Sequence, residues 1–290
     1  MIAAETVRIF APAKINLFLH VGPKRADGYH ELESLVVFAR VGDELVFERA
    51  DELSLAIDGP FAATLPSDPD NLVLKAAGAL AAHTGIRKGA RIALTKNLPV
   101  ASGIGGGSAD AAAALRGLAH LWNLQVTPEQ LRTIGETLGS DVPVCVDCKP
   151  TWMESRGDKL MALGGIAEVP MVLVNPGVAV PTGKVFAALK ERRGVGMPRP
   201  PAMKSTSELV AYLKTTVNDL EAPARALAPV IGEVLNALAA QPGALFARMS
   251  GSGATCFALF DDDAAAADSA AMNIISRKPC WWVQATAVAA

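Results

Sequence analysis

Between Pro99 and Asp110 the chain reads Pro-Val-Ala-Ser-Gly-Ile-Gly-Gly-Gly-Ser-Ala-Asp, with four glycines in the five positions 103–107. Such a run is costly in the interior of a helix or strand, where each glycine costs about 1 kcal/mol relative to alanine. It can bring backbone very close to another group and turn its N–H donors inward. Ala90–Lys96, before the run, alternates apolar and polar and reads as a strand. After it, Leu115, Leu118, Ala119 and Trp122 recur at helical spacing and define a buried face. Strand, glycine loop and helix start in that order suit phosphate, because the helix adds its dipole and free N–H groups. A plain glycine-rich turn capping a helix is the alternative. Two familiar nucleotide motifs are not met. The dinucleotide fingerprint needs glycine where Ser108 stands, and Gly183-Lys184 continues into Val185 instead of the Ser or Thr of a P-loop, with Gly177 one residue too far upstream.

The rest of the chain mixes strands and helices without strict alternation. Residues 5–20 read as a strand, Gly22–His30 as a loop, and Leu32–Phe38 and Asp43–Glu48 as two strands joined by a turn at Val41-Gly42-Asp43. Asp68-Pro-Asp-Asn71 opens a helix to about Thr84, and Thr127-Pro-Glu-Gln130 is a capping box for a helix ending near Gly139. Val142–Val146 and Thr151–Glu154 are apolar or β-prone. Then come a strand at Met171–Val174, a helix at Thr182–Arg192, a Pro- and Gly-rich loop at Gly194–Lys204, and helices at Ser207–Tyr212 and Leu220–Ala240. Strands at Ala244–Ser250 and Thr255–Phe260 flank a turn at Gly251-Ser-Gly253. The acidic run Asp261–Asp263 starts a last helix, and Trp281–Thr286 is a last strand. The pattern is α+β, with helices on one side of largely antiparallel strands. A fresh strand–helix unit after Gly164–Glu168 suggests a domain boundary there, giving 1–165 and 166–290.

Composition excludes several classes. With 51% hydrophobic and 19% charged residues over 290 positions, the chain can bury a large core as one large or two medium domains. Its 27 basic against 29 acidic residues (net −2) argue against a dedicated nucleic-acid binder, though not against a small anion held locally. No apolar run reaches the ~18 residues of a membrane span, and no signal-peptide pattern opens the chain, so the cytoplasm is expected. Cys145-Val-Asp-Cys148 has no second ligand pair for zinc, and it falls in apolar, strand-like sequence and not at a helix start, so buried or incidental thiols are the better reading. A disulfide is not expected.

Three separated segments are more specific in combination. Pro12-Ala-Lys-Ile-Asn-Leu17 leads to Asp27-Gly-Tyr-His30; the glycine loop follows; Met249-Ser-Gly-Ser-Gly-Ala-Thr255 comes near the end. With Gly139-Ser-Asp-Val-Pro143, Pro176-Gly177, Pro181-Thr182 and Asn218-Asp-Leu-Glu221, these resemble the GHMP small-molecule kinase superfamily over essentially the whole chain. The resemblance implies a two-lobed fold with the active site in the cleft. An N-terminal lobe like ribosomal protein S5 would bind ATP and carry catalysis, and a C-terminal ferredoxin-like lobe would bind substrate. It implies transfer from ATP to the 2-hydroxyl of a cytidine-diphosphate-linked methylerythritol, by a monomer or weak homodimer with no membrane or nucleic-acid partner. Homoserine- and mevalonate-type kinases, or a non-catalytic nucleotide binder of the same fold, are the alternatives. The Asp27–His30 loop weighs against the first two, and the joint presence of Lys14 and Asp141 against the third.

Roles follow from the resemblance and from the chemistry of each residue. Asp141 matches the family's catalytic aspartate; a carboxylate can take the proton of an attacking hydroxyl, whereas the plainer reading is a loop or cap residue. Lys14 stands in an apolar strand and needs an anionic partner, Asp141 or the reacting oxygen. Asn16 shares its strand face and is placed to touch substrate or Asp141. Tyr29 can stack on cytosine while His30 hydrogen-bonds its edge; Phe186 matches a second stacking position beside Thr182, with ordinary helix packing as the alternative. Lys96 and Asn97 border the adenine, and Pro99, Val100, Ala101, Ser102, Gly103, Ile104, Gly105, Gly106, Gly107, Ser108 and Ala109 form the phosphate loop. The family commonly has Gly at 101, Leu at 104 and Ser at 109. Mg²⁺ is expected to arrive with ATP, since no dedicated metal carboxylate stands out. His20, His83 and His120 show no constellation and read as structural or surface residues.

Overall fold

The computed structural model describes residues 6–65, 67, 70–261 and 264–289. In chain order the elements are β1 (Thr6–Asn16), β2 (His20–Lys24), β3 (His30–Ala50), β4 (Leu53–Asp58), α1 (Leu72–Thr84), β5 (Gly89–Thr95), α2 (Gly106–Leu121), α3 (Pro128–Glu136), α4 (Val142–Asp147), β6 (Thr151–Ser155) and β7 (Lys159–Ala162). There follow β8 (Pro170–Asn175), α5 (Thr182–Ala187), α6 (Thr206–Leu213), α7 (Glu221–Leu227), α8 (Val230–Ala239), β9 (Ala244–Met249), β10 (Cys256–Phe260), α9 (Ala264–Arg277) and β11 (Trp282–Ala289). The α+β class holds: β2, β5, β6 and β11 pair antiparallel with β3, β7 with β6, and β8 and β9 with β10, while β4 pairs parallel with β5.

Two compact units divide the chain, and each draws on separated segments. One comprises residues 1–13, 42–100 and 105–148; the other 14–41, 101–104 and 149–290. In the first, β4–β5–β3 lie side by side, with Glu44 opposite Thr95 and Ala50 opposite Gly89. Ala90, Ile92 and Leu94 alternate inward on β5, as period-two burial requires. Helices α1 to α4 pack on one another. Alanine and glycine let α2 approach closely: a Cβ at Gly117 would overlap the buried ring of Phe47 on β3.

In the second unit the order β3–β11–β8–β10–β9 carries β2 and β6 on β3 as well. α9 packs on β8 and β11, and α8 on β9 and β10. His20 is fully buried, its Nε2 accepting the Val217 N–H at 3.2 Å and its Nδ1 lying 3.5 Å from Glu33. Burial pushes its pKa down to about 4, so the ring is neutral.

Several local expectations give way to tertiary constraints. The anticipated pair of strands with a turn at Gly42 is one 21-residue strand. Gly42 is there because a side chain would overlap the Ala11 carbonyl oxygen, a close backbone approach and not a bend. Part of the expected loop at Gly22–His30 is β2, paired to β3. Val142–Val146 is helix, not strand; a five-residue apolar run has no periodicity to decide, and Pro143 near its start favours the helix. The single helix over Leu220–Ala240 breaks at Pro229, which begins α8. α5 stops at Ala187 well before Arg192; farther on, the Arg193 N–H bonds the Asp219 carboxylate at 3.1 Å. β4, with alternating Leu53, Leu55 and Ile57, and β7 were not anticipated. Expectations on Glu5, Asp68, Pro69, Asp262 and Asp263 lie outside the described residues; Asn71 caps α1 by accepting the Val73 N–H at 2.9 Å. The capping box at Thr127 and Gln130 forms as read. No disulfide occurs among the described residues, and the Cys148 thiol donates to the Cys145 carbonyl at 3.1 Å. No described helix is long and apolar enough to cross a membrane.

The Gly42 contact yields a stability test. Gly42→Ala should lower unfolding free energy by about 3 kcal/mol, the upper part of the overpacking range, because backbone must move. Urea denaturation midpoints check it; an unchanged midpoint would show that the approach of Ala11 is not tight.

Candidate active site

In the second unit a polar web starts at the end of β1. Lys14 is 3% exposed and its Nζ donates to Asn16 Oδ1 at 2.9 Å. Asn16 Nδ2 donates to Ser34 Oγ (2.8 Å), which donates to the Phe18 carbonyl (2.6 Å). The shared strand face read from the sequence therefore brings Lys14 and Asn16 together, and the web fixes the amide so that its oxygen faces the ammonium.

The same web holds the middle of the glycine loop. Lys14 N–H bonds the Ile104 carbonyl at 2.9 Å, Ser250 Oγ donates to the Gly103 carbonyl at 3.0 Å, and the Thr255 N–H bonds Ser102 O at 3.0 Å. A Cβ at Gly103 would lie 2.6 Å from the Ser250 carbonyl oxygen, and one at Gly251 2.8 Å from the Gly103 oxygen. Only glycine permits that approach. The turn 250–253 thus buttresses the loop. Asn218 in turn ties the turn down, donating to Met249 and Gly251 carbonyls at 2.8 Å each.

Ala101, Gly103 and Gly105 have φ of +51°, +78° and +62°. The value at Ala101 lies in the left-handed region, where glycine is at ease and alanine is strained. Pro99, Ser102, Ile104, Gly106 and Ala109 are buried, so a hydroxyl at 109 would point into the core. Val100, Ala101, Gly103, Gly105, Gly107 and Ser108 keep exposure and supply the loop's outward atoms.

In the first unit Lys96 is only 1% exposed, and its ammonium lies between Asp43 and Asp110, with Asp110 Oδ2 at 2.7 Å. Its side chain is thereby turned inward, while Asn97 beside it stays half-buried and donates through Nδ2 to the Gly42 carbonyl at 3.2 Å. Burial opposes the Lys96 charge, but Asp110 and Asp43 outweigh it and hold the pKa above the usual lysine value. Burial, joined by the Asp43 charge against the pull of Lys96, pushes Asp110 up to about 7. Asp43 and Asp110 were not anticipated. A signal existed: Asp110 shares a helical face with Ala114, Leu118 and Trp122, so its carboxylate had to be buried and paired. Asp141 holds the N-cap position of α4, and its side chain makes no capping hydrogen bond to that helix.

The aromatic set lies in the second unit. His30 and Phe186 stack on each other at 5.3 Å between centroids and 21° between planes. A base sandwiched between two rings needs about 7 Å, twice the carbon contact distance, so it would use an outer face or part the rings. Burial, then the charges of Arg192 and Lys24, lower the His30 pKa and keep the ring neutral, able to donate and accept. Tyr29 is 54% exposed, with the Arg156 guanidinium 6.0 Å over its ring. Arg25 braces that loop through Asp27 (3.1 Å), Glu31 (2.5 Å) and Ser155 (3.0 Å). Thr182 Oγ1 lies 2.8 Å from Ser252 Oγ.

Family models for the GHMP kinases N terminal domain and the GHMP kinases C terminal match residues 71–149 and 202–275. A 4-diphosphocytidyl-2-C-methyl-D-erythritol kinase of Parvibaculum lavamentivorans is 50% identical over 280 residues, 96% of each chain. One from Cereibacter sphaeroides is 54% identical over 276 residues, 94% of this chain and 96% of that one. A crystal structure of 4-(cytidine 5'-diphospho)-2C-methyl-D-erythritol kinase superposes with TM-score 0.77 at 32% identity, covering 98% of this chain and 100% of that one. A homoserine kinase from Cytophaga hutchinsonii shares the fold at TM-score 0.71 and 19% identity.

The raised Asp110 has a consequence for stability. Its carboxyl keeps its proton more readily when folded than when unfolded, so this group's contribution is full below the ordinary 3.8 and is lost as pH rises through about 7. Asp110→Asn cannot ionise. Its melting temperature relative to the native chain should therefore climb between pH 4 and pH 8; a constant difference would refute the raised pKa.

Proposed function

The chain belongs to the GHMP kinases, in the 4-diphosphocytidyl-2-C-methyl-D-erythritol kinase family, and we propose that it transfers the γ-phosphoryl group of ATP to the 2-hydroxyl of 4-diphosphocytidyl-2-C-methyl-D-erythritol. The products are the 2-phosphate and ADP, in non-mevalonate isoprenoid precursor biosynthesis. The observation that carries this is identity of 50–54% along almost the whole chain to enzymes bearing that name.

In this reading Asp141 accepts the proton of the substrate hydroxyl as its oxygen attacks the γ-phosphorus and the bond to the β-phosphate oxygen breaks. Lys14 offers its ammonium to the transferred group, and Asn16 holds Lys14 in register while offering its amide to the substrate. The backbone of residues 99–109, with the Ser108 hydroxyl, cradles the phosphates at the start of α2, and Lys96 and Asn97 border the adenine through their backbone. Tyr29 stacks on cytosine, neutral His30 reads its edge, and Phe186 and Thr182 close the other side of the base. Catalysis and ATP binding are assigned to residues 1–165, and the substrate is shared between Asn16, Tyr29 and His30 there and Thr182 and Phe186 in 166–290. Mg²⁺ enters on the nucleotide. Phosphate oxygens and water supply most of its ligands in this reading. We place the enzyme in the cytoplasm, as a monomer or weak homodimer without membrane or nucleic-acid partners.

ATP consumption with the cytidylyl substrate, with mevalonate, with homoserine and with no acceptor tests the assignment. Turnover is expected only with the first; turnover of mevalonate or homoserine alone would overturn it. Asp141→Asn should lower turnover by about 10²- to 10⁴-fold while ADP affinity holds, as measured by calorimetry. Unchanged turnover would place the base elsewhere.

A further inference from the structure

Both ends of the glycine loop are fastened to one buried charge cluster. At the strand end, Asp43 Oδ1 accepts the N–H groups of Asn97 at 2.6 Å and Leu98 at 2.8 Å. At the helix end, Lys96 Nζ donates to Asp110 Oδ2 at 2.7 Å, one turn into α2. Lys96 Nζ joins the two, because its other partner is Asp43 Oδ2. The ammonium also presses on the first residue of α2: a Cβ at Gly106 would lie 3.1 Å from Nζ and 3.7 Å from Asp43 Oδ2.

Fold stability gives little reason for this arrangement. A buried ion pair barely offsets its own desolvation, and apolar side chains of similar volume often serve a core as well or better. Here a second carboxylate is added, and Asp110 Oδ1 is buried with no hydrogen-bond partner among the described residues. What charge-assisted hydrogen bonds supply, and an apolar cluster would not, is direction. Two carboxylates converging on one ammonium set the distance and angle between the residues entering the loop and the first turn leaving it.

We infer that Asp43, Lys96 and Asp110 are positioning residues for nucleotide binding: the cluster fixes the two ends of the glycine loop so that its N–H groups are aimed before ATP arrives. The inference rests on the proposed kinase activity for its biological meaning, but nucleotide binding alone tests it. Its effect belongs to the ATP side of the reaction and not to recognition of the cytidylyl acceptor.

Asp110 gives the cleanest test, because removing it leaves the Asp43–Lys96 pair neutral and in place. ADP binding to the full chain is measured by calorimetry, and the Michaelis constants for ATP and acceptor are measured where turnover is present. Asp110→Ala should weaken ADP binding, and raise the ATP constant, by about tenfold, the size expected from losing one charge-assisted hydrogen bond to a buried partner. Asp110→Asn keeps an oxygen that can accept from Lys96 and should stay within about threefold of the native chain in ADP affinity. The acceptor constant should not move in either variant. If Asp110→Ala fails to fold, Asp110→Ser, with a hydroxyl too short to reach Lys96, takes its place with the same expectation. A folded Ala or Ser variant that binds ADP like the native chain would overturn the inference. So would an Asn variant as weak as Ala, or a loss shared equally by the acceptor. Absence of turnover in the native chain with intact ADP binding would count against the proposed acceptor and leave the binding comparison standing.

Discussion

The backbone at Gly103 lies against the backbone of residues 250–253 with no room for a side chain on either Gly103 or Gly251. That contact is the constraint the surrounding features depend on. It explains why a stretch unfit for helix or strand persists between β5 and α2, and why a second glycine-rich turn appears so far along the chain. Close approach of two turns brings unpaired carbonyls and N–H groups together, and they need partners. Ser250, Asn218, Thr255 and the Lys14 backbone provide them, and in doing so fix Asn16 and the Lys14 ammonium.

Each unit buries a lysine on or beside a strand. In the second, the Lys14 ammonium donates to the Asn16 amide oxygen, and Ser34 holds that amide in place. The first buries Lys96 between two carboxylates, one with its pKa near neutrality. Charge-assisted hydrogen bonds to the carboxylates set direction as well as attraction, so Lys96 ties together the backbone on either side of the glycine loop.

Much of this was legible in the sequence where local chemistry decides. The glycine loop, the capping box at Thr127 and the Lys14–Asn16 strand face follow from residue type and spacing, whereas the stacking of His30 on Phe186 joins positions 156 apart and is seen only in the fold. Misreadings fall where tertiary contact overrides local preference. Gly42 reads as a turn but relieves a clash with Ala11, and Val142–Val146 has no periodicity to separate helix from strand. The Asp43–Lys96–Asp110 cluster is assembled from positions up to 67 apart, so no spacing rule reports it, although a lone aspartate on the buried face of an alanine-rich helix marks one corner.

The central claim is that the Lys14 ammonium and the Asp141 carboxylate act on one reacting hydroxyl and one terminal phosphate. A crystal structure of the ternary complex, with a non-hydrolysable ATP analogue and the cytidylyl acceptor, measures this directly. The account predicts an Asp141 carboxylate oxygen within about 3.2 Å of the acceptor 2-hydroxyl, and Lys14 Nζ within hydrogen-bond reach of that oxygen or of the γ-phosphate. An Asp141 side chain turned away from the hydroxyl, or a Lys14 ammonium out of reach of both, would contradict it.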